Sequence, residues 1–149
     1  HGALLFTAAE WGYEVIGADL RIDNVEMLLK LGFKAIWNEL EELDAVESFN
    51  VISIGAFEQT AFPKRALSTA HRVLKSGGAL VLSMPNMDTV AWRILNASGA
   101  NPYWGELEAC HHFTRERLQR LLETHGFRFA EYAVSERGPS CMDVIAIKT

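Results

Sequence analysis

Apolar and polar positions along the chain alternate between short helical periods and near-continuous apolar runs. From Ala3 to Trp11 the residues Leu4, Leu5, Ala8 and Ala9 recur at helical spacing, and Gly12 supplies a C-terminal stop. Tyr13 to Ala18 is then an almost unbroken apolar run ending at Asp19, the pattern of a buried parallel strand. The rhythm repeats: Asp23 or Asn24 is placed to cap a helix through Met27, Leu28 and Leu29, Gly32 closes it, and Phe33 to Trp37 predicts a second strand. Beyond an acidic segment, Glu39 to Glu47, the run Phe49 to Ile54 predicts a strand buried on both faces. Pro63 suits the first turn of a helix reaching Leu74, and Ser76, Gly77 and Gly78 predict a turn into the apolar strand Ala79 to Met84, stopped by Pro85.

After Pro85 the pattern changes. Asp88 to Ala97 predicts an amphipathic helix, and Ser98 to His111 is irregular, with Gly99, Pro102, Tyr103, Trp104 and Gly105. Thr114 is placed to cap a helix whose Leu118, Leu121 and Leu122 face the core, ending at His125 and Gly126. Phe127 to Val134 and Cys141 to Lys148 flank a short polar turn, too short for a parallel crossover, so they predict an antiparallel hairpin. Strands alternating with helices predict an α/β fold: a mostly parallel sheet with helices on both faces and an antiparallel hairpin at its C-terminal end.

Composition narrows the chemistry. A chain of 149 residues, 49% hydrophobic and 22% charged, fits a single domain with one core, residues 1–149. A formal charge of −5 with scattered Lys and Arg argues against a nucleic-acid partner, which needs a basic face. No apolar run approaches the roughly 20 residues of a membrane span. Cys110 and Cys141 form no CxxC pair, which points to reduced thiols, a cytoplasmic setting and no metal site.

Four stretches carry a resemblance to a known family. They are Gly2 followed by GYEVIGAD at 12–19, FNVISIGAFEQ at 49–59, ALSTAHRVLKSGGALVLSMPN at 66–86, and HHFTRERLQRLLETHGF at 111–127. Together they resemble the class I S-adenosylmethionine-dependent methyltransferases, in the small-molecule branch labelled type 11 or type 12. The resemblance implies a Rossmann-like sheet, with a variable substrate or cap segment at about 86–112. It leaves out the family's first strand and the opening of its glycine-rich loop, so the sequence is expected to be incomplete at its start.

By the resemblance, Gly2 is the last glycine of that loop, and Asp19 accepts hydrogen bonds from the ribose hydroxyls, with Leu20 lining the same edge. Asp19 also suits a turn acid or cap for the helix that follows. Glu39 and Leu40 correspond to the acid and amide that meet the adenine, with Glu41 or Glu42 as alternatives in a run that equally reads as a solvated acidic face. Gly55, with Ala56, leaves room for the sulfonium and its methyl. Where the family commonly has Glu-His, this chain has Glu58 and Gln59. His111 and His112 are the candidate catalytic pair, because an imidazole takes a proton near neutral pH; either also suits packing or capping at the helix begun by Thr114. Tyr103, Trp104 and Glu106 are placed to cover a substrate.

The expected activity is methyl transfer from S-adenosyl-L-methionine to a small-molecule acceptor. The competing readings are a non-catalytic methyltransferase-like module or fragment, and an NAD-dependent oxidoreductase using Asp19 on a nicotinamide ribose. Oligomeric state is left open.

Overall fold

The computed structural model describes residues 3–105, 108–136 and 138–149. They fall into two compact units, His1–Asp44 and Ala45–Thr149.

In the first unit the elements are α1 (Ala3–Glu10), β1 (Ile16–Asp19), α2 (Ile22–Lys30) and β2 (Lys34–Trp37). β1 and β2 pair in parallel, from Ile16 opposite Lys34 to Asp19 opposite Trp37. Gly12 and Gly32 stand at φ +86° and +85°, the left-handed geometry that ends α1 and α2 where the sequence places their stops. Gly17 is needed for another reason: a Cβ there would lie 2.6 Å from Leu28 Cδ1 and 3.1 Å from Leu5 Cδ1, so its bareness lets both helices close on β1. Lys34 donates to Glu14 at 2.6 Å, and this hydrogen bond and the lysine's charge hold the Glu14 carboxyl below its usual range.

In the second unit the elements are β3 (Phe49–Ile54), α3 (Pro63–Val73), β4 (Leu74–Pro85), α4 (Val90–Ala97), α5 (Arg115–Glu123), β5 (Phe127–Val134) and β6 (Cys141–Lys148). Its sheet runs β3-β4-β6-β5. β3 and β4 are parallel, and β6 is antiparallel to both β4 and β5, which gives the C-terminal hairpin read from the sequence. The core holds Leu67, Leu80, Leu82, Leu118, Leu122, Phe127 and Val144, all but sealed from solvent.

Four local expectations are corrected. β1 and β3 are not buried on both faces: Ile16 is 43% and Val51 57% exposed, because an apolar run does not itself supply the layer that covers a strand's second face. The SGG segment is a bulge inside β4 rather than a turn before it, since Phe49 faces Leu74 while Val51 faces Ala79. α2 starts at Ile22 without a cap from Asp23 or Asn24. α4 starts at Val90, capped by Thr89 through the Trp92 N–H, while Asp88 accepts from the Arg115 N–H at the head of α5. Thr114 caps α5 through the Arg117 N–H, as its position predicts.

Candidate functional site

Parallel pairing of β3 with β4 brings their C-terminal ends to one edge of the sheet, and antiparallel β6 sets Cys141 beside Pro85 at the same edge. Ligands bind open α/β sheets outside the carboxyl ends of the strands. A cleft of about 650 Å³ lies there, lined by Gly55 and Ala56 after β3, Ser83 at the end of β4, and Glu58, Tyr103 and Glu108. A Cβ on Gly55 would have nothing within 4 Å, so the strand end opens onto free space.

Glu58 is fixed through its backbone. Its carbonyl accepts from the Cys110 N–H at 2.9 Å and the His111 N–H at 3.0 Å. The neighbouring Phe57 is sealed in the core, stacked on Phe113 at 5.6 Å. The residue is 7% exposed, so a carboxylate is held at the cleft inside the protein surface. Tyr103 is equally well held: its hydroxyl lies 2.7 Å from Ser140 Oγ and its ring stacks on Trp92 at 5.0 Å.

His111 and His112 do not line this cleft. They line a second one, of about 500 Å³, with Trp104 and Arg117. The His112 ring packs 4.6 Å from Trp104 and 5.7 Å from Trp92, which is the packing role the sequence allowed for it. His111 Nε2 lies 3.4 Å from the Ala61 carbonyl oxygen.

In the first unit Asp19 closes β1, and both its carboxylate oxygens are engaged. Oδ1 accepts from the Arg21 N–H and Oδ2 from the Asn24 side-chain amide, each at 2.8 Å. These bonds tie the carboxylate to the head of α2, the turn-acid role open to it on sequence grounds. The Leu20 carbonyl accepts from the Trp37 indole at 2.7 Å. Glu39 is exposed and Leu40 half-buried, at the start of the 3₁₀ turn Leu40–Glu42 that follows β2. Gly2 and Glu106 lie outside the described residues.

Sequence reasoning gave Glu58 no role because Gln59 stands where the family's usual pair has His, gave Ser83 and Glu108 none, and read Cys141 only as a reduced thiol. The available signal was position, since Glu58 follows β3 closely, Ser83 lies near the end of β4, and Cys141 opens the last strand. Among the described residues no three His, Cys, Asp or Glu side chains are grouped to hold a metal ion. No helix among them is long and apolar enough to cross a membrane.

A family model described as a methyltransferase domain matches residues 1–132. Solved structures share the fold. One is an S-adenosylmethionine-dependent methyltransferase from Mesorhizobium loti, 16% identical, with a TM-score of 0.78 over 99% of this chain and 86% of that one. Another is magnesium protoporphyrin IX methyltransferase from Synechocystis with bound S-adenosylhomocysteine, 16% identical, TM-score 0.78, covering 99% of this chain and 70% of that one. A third is 1,6-didemethyltoxoflavin-N1-methyltransferase from Burkholderia thailandensis, with bound 1,6-didemethyltoxoflavin and S-adenosylhomocysteine. It is 17% identical, TM-score 0.74, covering 99% of this chain and 67% of that one. No curated protein matches the chain. Sheet order, terminal hairpin and a family match across most of the sequence agree: the chain belongs to the methyltransferase-domain family and has the fold of the S-adenosylmethionine-dependent methyltransferases.

Proposed function

We propose that this chain transfers a methyl group from S-adenosylmethionine to a small-molecule acceptor, as one domain spanning both units. The family match supports the single domain, since it runs through residues 1–132 and so passes the unit boundary at Asp44. The observation that carries the proposal is the cleft of about 650 Å³ outside the carboxyl ends of β3 and β4, open at Gly55. Two structural neighbours with bound S-adenosylhomocysteine are a 1,6-didemethyltoxoflavin-N1-methyltransferase and a magnesium protoporphyrin IX methyltransferase, and both names support a small-molecule acceptor here. The two free cysteines suit a cytoplasmic setting.

When bound, S-adenosylmethionine supplies a methyl group already activated on sulfur. The work left to the chain is holding and aligning, which supplies about 7 to 11 kcal/mol of a barrier. Asp19 accepts from the ribose hydroxyls with a carboxylate already oriented by Arg21 and Asn24. Leu20 would line the adenosine, Glu39 would accept from the adenine amino group, and the Leu40 amide would meet the ring. Gly2 serves as the last loop glycine. Gly55 would leave space for the methyl, and Glu58, which lines the same cleft, would be the carboxylate to take a proton from a hydroxyl or amine acceptor. His111 and His112 line the other cleft.

Thermal unfolding is the test, run with S-adenosylmethionine, S-adenosylhomocysteine and NAD. A saturable rise in Tm with the first two is expected. Stabilisation by neither overturns the proposal, and stabilisation by NAD alone replaces it with an oxidoreductase. Cofactor binding without methyl transfer to any compound of a broad acceptor panel also overturns it, in favour of a non-catalytic module.

A further inference from the structure

We infer that the second cleft of the Ala45–Thr149 unit is a binding site for a planar aromatic anion, a carboxylate or phosphate ester carried on an aromatic ring. The cleft holds about 500 Å³, and its described lining includes Arg117, His111, His112 and Trp104 and no acidic side chain. The three arginines of α5 divide sharply. Arg115 lies over the Phe129 and Tyr132 rings, and Arg120 is paired with Glu116, whereas the Arg117 guanidinium makes no ion pair among the described residues and borders the cleft. A forked guanidinium matches the two oxygens of a carboxylate or phosphate.

Two further features select a flat ligand. Trp104 is 54% exposed, yet its indole N–H is tied to Asn96 Oδ1 at 2.7 Å, so a large aromatic surface is kept at the cleft in one setting. The His112 ring stands edge-on to Trp104 at 4.6 Å and lines the same cleft, so two rings are held together on its wall. The site uses none of the residues lining the cleft at Gly55, and it does not depend on methyl transfer.

Calorimetric titration of the full chain with benzoate, phenyl phosphate, benzamide and benzylammonium tests this. Saturable binding of benzoate or phenyl phosphate is expected, with the tighter of the two naming the anion, and at least about tenfold weaker binding of benzamide and benzylammonium. Arg117→Gln weakens the bound anion by about tenfold or more, Arg117→Lys falls between, and Arg120→Gln binds like the parent. The Arg117 side chain is exposed, so these variants keep the parent's unfolding midpoint, measured alongside. Absence of saturable binding by both anions, equal binding of benzamide, or parent-like affinity in a folded Arg117→Gln overturns the inference. Saturation of the Gly55 cleft with S-adenosylhomocysteine leaves the anion affinity of the second cleft intact; mutual exclusion would overturn its independence.

Discussion

A carboxylate at the end of a parallel strand sits where two demands meet. At Asp19 one oxygen takes the Arg21 N–H and the other the Asn24 amide, so the side chain stitches β1 to the first turn of α2. Each ionised oxygen retains a lone pair, which leaves capacity for ribose hydroxyls. Asp19→Ala is therefore expected to act twice. Urea titration should show a loss of about 1 kcal/mol, the usual net worth of a hydrogen bond. Calorimetry should show S-adenosylmethionine binding weakened by at least about tenfold, since one hydrogen bond to a charged group is worth about 1.5 to 3 kcal/mol. A stability loss with unchanged affinity would leave Asp19 a turn acid alone. The turn-acid role of Asp19 was legible in the sequence, because strand end and helix start are local. The sequence could not show that Glu58 reaches the Gly55 cleft while His111 and His112 reach the other, because that depends on segment 108–113 folding back on the Glu58 carbonyl.

At the scale of elements, periodicity located strands and helices closely but ranked their burial less well. β5, β6 and α5 stand where the pattern put them, because a hairpin turn and a Thr cap are written in adjacent residues. The burial of β3 was overestimated, since an apolar run reports what a strand tolerates on its faces and not which layers cover them. α5 provides a finer case. Leu118 and Leu122 are sealed, while Leu121 is half-buried and borders the second cleft. Leu118→Ala should lower unfolding free energy by about 2 to 5 kcal/mol, the range for truncating a sealed leucine. Leu121→Ala should cost clearly less in the same urea titration, because its site is already partly open to water. Equal losses would mean that the cleft face of α5 is core.

For the whole molecule, recognition preceded geometry. Four separated stretches carried the family resemblance, and the family match over residues 1–132 agrees with them, although the three solved structures named above share only 16 or 17% identity with the chain. Fold survives such divergence because the core needs only apolar side chains of suitable volume, while a site needs particular atoms. That difference permits function and stability to be separated at one residue. Gly55 is exposed at the end of β3, and an added Cβ meets nothing within 4 Å, so no native contact is lost when a side chain is introduced. Gly55→Leu should leave the unfolding free energy within about 0.5 kcal/mol of the parent, as for surface substitutions away from packed features. Its side chain would project into space bordered by Ala56, Glu58 and Ser83, where the proposed transfer takes place. Methyl transfer should therefore fall by at least about a hundredfold, as expected when reacting groups are displaced by an ångström. Near-parental activity in a folded Gly55→Leu variant would move the reaction away from this cleft, whereas lost activity at unchanged stability would place it there.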